Sequence, residues 1–160
     1  MRTWPLALLL AACTACGVSP TGVVGAGEAA RGFVDGTPLY FVRNDRLVPV
    51  SRPVGPLEAA EAVELLIGGP TEKELDRSLA TRLPKNVALR VNDGGFTLGR
   101  GAPMPVDGRW LPPVTRLSRM ATGQLVCTIA AATAAKRGMT VDDVRVTVPD
   151  KGQVRCKDFD

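Results

Sequence analysis

The chain has 160 residues, 45% of them apolar and 22% charged, a size and balance that suit one globular domain with short appendages. Its net charge of +4 comes from scattered basic residues, and aromatics make up only 4%, which argues against a nucleic-acid face or a base-stacking platform. There is no histidine, so an imidazole base and an imidazole metal ligand are excluded, and no metal or cofactor is expected.

The N-terminus reads as a lipoprotein signal peptide over residues 1–15. Arg2 supplies the positive start, Trp4 to Ala12 is uninterruptedly apolar, and small residues and cysteines follow. The apolar run is too short to span a bilayer, which takes about 20 residues. Lipidation is expected on Cys16, with Cys13 as the alternative. Leu10-Ala11-Ala12-Cys13 fits the lipobox better, whereas Cys16 gives a leader of more ordinary length. A redox or zinc pair at Cys13 and Cys16 would need a folded site that an apolar leader does not supply. Residues 16–36, rich in Gly, Ala, Val and Thr, read as a flexible tether. Residues 37–160 are expected to fold.

Pro38 to Val42 reads as a strand, Asn44-Asp45 as a turn, and Arg46 to Val50 as a partner strand that Pro49 assigns to an edge. Pro56 to Ile67 has helical periodicity. Ala59, Ala62, Val63, Leu66 and Ile67 share one face, and Glu58, Glu61 and Glu64 form a solvated opposite face. Gly68-Gly69-Pro70 stops this helix. Thr71 then starts another, with Glu74 reaching back in a capping box. Leu75 and Leu79 are expected to face inward from it, and Pro84 closes the segment. Gly69, Pro70, Thr71 and Glu74 therefore form a structural cap motif.

Val87 to Val91 and Phe96 to Leu98 read as a hairpin around Asn92-Asp93-Gly94-Gly95. The carboxylates needed for a calcium loop are missing there. Gly99 to Pro113 reads as a Gly- and Pro-dense loop, and its Trp110 is a possible docking residue because tryptophan is frequent at binding hot spots. Val114 to Arg137 reads as the longest helix, with Leu117, Ala121, Leu125, Thr128, Ile129 and Ala132 at helical spacing and Gly138 as its stop. Val144, Val146 and Val148 alternate as in a half-buried strand. Pro149 to Gly152 turns, and Val154 and Cys156 continue in a partner strand.

Behind the leader only Cys127 and Cys156 remain. In an exported chain this even pair favours a disulfide, worth about 3 kcal/mol in the chain-entropy model. The alternative, a nucleophilic cysteine, lacks a neighbouring histidine.

Leu39 to Val50, then Leu66-Ile67-Gly68-Gly69-Pro70-Thr71-Glu72-Lys73-Glu74, then Thr81-Arg82-Leu83-Pro84, with Gln124-Leu125-Val126-Cys127-Thr128 later, resemble in order the GerMN domain. This is the sporulation and spore-germination domain of bacterial envelope lipoproteins. The resemblance implies a small single α/β (α+β) domain, with two main helices packed on a small mixed sheet. It also implies a scaffolding or interaction role rather than catalysis. The expected protein is no enzyme. It is a lipid-anchored, extracytoplasmic lipoprotein of the cell membrane that docks an envelope protein or the cell wall. A small-ligand binder is the alternative, and a wall hydrolase, which would need two opposed carboxylates, is disfavoured.

Overall fold

The computed structural model describes residues 36–92, 94–99, 104–106 and 109–159. Cys13, Cys16, the expected leader and the expected tether as far as Asp35 lie outside them. Gly36, assigned to the tether by sequence, is already part of the fold. It forms a parallel bridge with Gly55.

Strands β1 (Leu39–Arg43) and β2 (Arg46–Val50) form the expected hairpin. Asn44 and Asp45 both have positive φ, 51° and 55°, as a two-residue turn matched to strand twist requires. Arg43 pairs with Arg46 and Tyr40 with Pro49. In that register Tyr40 and Val42 turn their backbone groups away from β2, and Pro49 removes the N–H that β2 would have exposed. The outer edge of β1 finds other partners. Val42 exchanges two backbone hydrogen bonds with Ala80, at 2.8 and 2.9 Å. Tyr40 donates its N–H to Thr128 Oγ1 at 3.0 Å, and its carbonyl accepts from Gln124 Nε2 at 3.0 Å.

Helix α1 (Ala59–Ile67) starts later than the sequence suggests. Pro56 lies in the approach, and Glu58 occupies the cap, its backbone N–H donating to the Glu61 carboxylate at 3.0 Å. Ala62, Val63 and Leu66 are buried, and Glu58, Glu61 and Glu64 are exposed. Gly69, at φ 84°, turns the chain out of the helix.

Helix α2 (Glu72–Leu75) is a single turn. Its brevity overturns the inward pairing of Leu75 with Leu79. Ser78 adopts positive φ and the chain reverses, so the two leucines no longer share a helical wheel. Leu79 is buried, whereas Leu75 is 55% exposed.

Strands β3 (Leu89–Asn92), β4 (Gly95–Leu98), β7 (Val146–Val148) and β8 (Gly152–Val154) form the mixed sheet, in the order β3-β4-β7-β8. The two outer pairings are antiparallel and β4–β7 is parallel. Gly95 sits opposite Thr147, and Thr147 N–H bonds the Gly94 carbonyl at 2.8 Å. A Cβ on Gly95 would come within 2.7 Å of the Thr147 carbonyl oxygen and 2.8 Å of its Cβ. Gly95→Ala is therefore expected to part β4 from β7 and to cost about 2 kcal/mol, readable as a lowered urea midpoint.

The segment read as a loop from Gly99 to Pro113 contains a short hairpin of its own, β5 (Met104–Val106) with β6 (Arg109–Leu111). Helix α3 (Arg119–Arg137) also starts later than its periodicity suggests. Pro112 and Pro113 disfavour helical backbone at Leu111 and Pro112, and the helix begins only after Ser118, whose hydroxyl accepts from Ala121 N–H at 3.2 Å. Gly138, at φ 62°, ends the helix as expected. Residues 121–132 are buried on every face. They pack against α1, β1, β2, β7 and two 3-10 turns, Val141–Asp143 and Cys156–Phe159. Small side chains make this enclosure possible: a Cβ on Gly123 would stand 3.0 Å from both Leu47 and Phe159. Cys156 lies in the second 3-10 turn rather than on a strand, and the structure joins it to Cys127 in a disulfide. The fold is thus one small α+β domain with its helices on a mixed sheet.

Candidate functional site

The cap motif is also one end of a buried ion pair. Thr71 N–H donates to Glu74 Oε2 at 2.7 Å, as a capping box requires. The same carboxylate receives Arg52 in a bidentate grip, Nε to Oε1 at 3.1 Å and Nη2 to Oε2 at 2.7 Å. Arg52 Nη2 also donates to the Gly69 carbonyl at 2.8 Å, and its guanidinium lies 5.4 Å above the Phe41 ring. One arginine thereby ties the segment after β2 to the α1–α2 junction. The Arg52 hydrogen bonds hold the Glu74 carboxyl below its ordinary value, aided by the Thr71 N–H and opposed by burial.

Because this pKa is depressed on folding, the bridge contributes its full stability above the unfolded carboxyl value. That contribution fades as pH falls through the folded one. Arg52→Ala is expected to cost about 2 kcal/mol at neutral pH. Urea titrations at several pH values should show its deficit shrinking as the pH falls below the ordinary carboxylate range and Glu74 protonates.

A cleft of about 350 Å³ opens at the carboxyl ends of the parallel strands β4 and β7. The offset of the strands creates it. Extending the Gly95–Thr147 register puts Phe96 beside Val148, but β7 then turns at Pro149 while β4 continues to Leu98. The extended approach to α3, through Thr115, Arg116 and Leu117, covers only one side of the overhang. Phe96, Leu98, Leu117 and Val148 supply apolar wall, and Arg116, Asp150 and Lys151 supply charge. No described residue pairs with the Arg116 guanidinium. Lys151 Nζ stands 6.0 Å from the Phe159 ring centre. The first turn of α3 carries no acidic residue. Carboxyl ends of parallel strands are where α/β sheets commonly receive ligands.

Sequence reasoning placed Cys127 and Cys156 together, and Gly69, Pro70, Thr71 and Glu74 in one turn. It missed Arg52, the partner that makes Glu74 more than a cap. It also missed the cleft, whose walls come from four separate segments. Trp110 belongs to β6, and its side chain lies outside the described part of the structure. Among the described residues no three acidic or cysteine side chains gather as a metal site would require, and no helix is long and apolar enough to cross a membrane.

The family model described as Germane, sporulation and spore germination, matches residues 38–153, from the start of the first hairpin to the last strand. No curated protein and no solved structure matches the chain. The matched span holds the four-stranded sheet but for Val154, the helices α1 to α3 and the cleft, and on it the chain belongs to the Germane family of sporulation and spore-germination domains.

Proposed function

We propose that this chain is a lipid-anchored lipoprotein on the extracytoplasmic face of the cell membrane. Its Germane domain would serve sporulation or germination as a non-catalytic interaction module for another envelope protein or the cell wall. The observation that carries the reading is the Cys127–Cys156 disulfide downstream of a lipobox-like leader. Disulfides persist in oxidising compartments and are rare in the cytosol. The buried Glu74 carboxylate is engaged by Arg52 and by a backbone N–H, which suits architecture better than acid–base work. The cleft supports a second reading, in which the module binds wall fragments or small ligands rather than a protein.

An unreduced mass spectrum of the membrane fraction tests the anchor. The expected result is a diacylglycerol-modified N-terminal fragment beginning at Cys16, or at Cys13, together with a Cys127–Cys156 cross-linked pair. An intact leader with two free thiols would overturn the reading. Incubation with purified wall material should release nothing; soluble fragments would instead establish a hydrolase.

A further inference from the structure

We infer that the cleft at the carboxyl ends of β4 and β7 is a binding site for a small amphipathic organic anion, with its apolar part against Phe96, Leu98 and Val148 and its acid group at Arg116 and Lys151. This goes beyond the anchored-module reading and does not rest on it, since a chain without a lipid would carry the same cleft. Three observations converge. The volume, about 350 Å³, lies within the range of small-ligand sites, roughly 300–1,000 Å³. That space suits one short apolar body and is too small for the two acyl chains of a membrane phospholipid.

The lining is mixed: Phe96, Leu98, Leu117 and Val148 offer apolar surface, and Arg116, Asp150 and Lys151 offer charge. Buried Phe96 and Val148 form its floor, 3% and 5% exposed. The charges of the lining are two cations against the single carboxylate of Asp150, so they favour an anion. Among the described residues none pairs with Arg116, so a ligand acid group would displace no ion pair described there. The α3 N-terminus borders the site through Thr122 and reinforces the same sign, since helix N-termini favour negative charge. Thr122 itself is committed, donating to the Ser118 carbonyl at 3.0 Å.

The test uses the full chain carrying C13S and C16S, so that no lipid is attached, titrated with 4-phenylbutyrate and followed by NMR. The uncharged 4-phenyl-1-butanol and the cationic 4-phenylbutylamine serve as matched probes. The expected result is saturable shifts at Phe96, Leu117 and Val148, with the anion binding at least about fivefold more tightly than either analogue. Arg116→Glu combined with Lys151→Glu, both exposed positions, should remove that preference while leaving the melting temperature near the parent value. Arg77→Glu, an exposed charge reversal outside the cleft lining, should leave it unchanged. Equal binding of all three probes, or an anion preference that survives the double reversal, would overturn the proposal. So would binding to phosphatidylglycerol vesicles without any response to 4-phenylbutyrate.

Discussion

Replacing both Cys127 and Cys156 by alanine is expected to destabilise the domain by about 3 to 4 kcal/mol. The two residues are 29 apart in sequence, so the cross-link removes much of the unfolded chain's freedom in that stretch. What it holds is specific. Cys127 is fully buried in the middle of α3, and Cys156 opens the terminal 3-10 turn that delivers Phe159 onto Gly123. Without the bond, this turn depends on Phe159 packing and on exposed hydrogen bonds such as Arg119 Nη2 to the Asp158 carbonyl at 3.0 Å. Segments held by few buried contacts and by exposed hydrogen bonds open first. Urea denaturation of the double variant should show a lowered midpoint, and hydrogen exchange should show residues 155–159 losing protection before the rest. An unchanged midpoint would mean that the cross-link does not form in the folded protein.

Gln124→Leu is expected to cost about 2 to 6 kcal/mol, about 1 to 3 for each of the two backbone groups left without a partner. Gln124 is fully buried and serves two segments at once. Its Nε2 donates to the Tyr40 carbonyl at 3.0 Å, and its Oε1 accepts the Arg82 N–H at 2.7 Å. With Thr128 one turn later, it replaces the strand that β1 lacks on its outer edge. Leucine fills a similar volume, so any loss reports the two hydrogen bonds rather than a cavity. Gln124→Glu is a sharper probe, because a carboxylate retains the bond from Arg82 but cannot donate to Tyr40. A Leu variant as stable as the parent would show that water satisfies both groups.

The sequence by itself determined the elements whose signals are local. Asn44-Asp45 demands a tight hairpin, Thr71 and Glu74 cap each other across three residues, Gly138 ends a helix, and alternating valines mark a strand. The resemblance read from the sequence rests on the same ordered, local features, and the family model matches residues 38–153. Cysteine parity pairs Cys127 with Cys156 once Cys13 and Cys16 are assigned to the expected leader and its lipid site.

Tertiary structure decided the rest. Leu75 looked apolar and inward, but α2 is one turn long and the reversal at Ser78 sends it to solvent. Thr128 shares the helical spacing of its apolar neighbours and Gln124 carries no local signal of its role, yet they complete the hydrogen bonding of a strand more than 80 residues earlier. Arg52 carries no local signal, since its carboxylate partner is 22 residues away. The cleft exists only because a parallel pairing between Gly95 and Thr147 leaves Leu98 overhanging, and a parallel register is set by distant segments meeting in space. Short-range backbone preference is written residue by residue. Which buried polar group meets which partner depends on packing that no single segment contains.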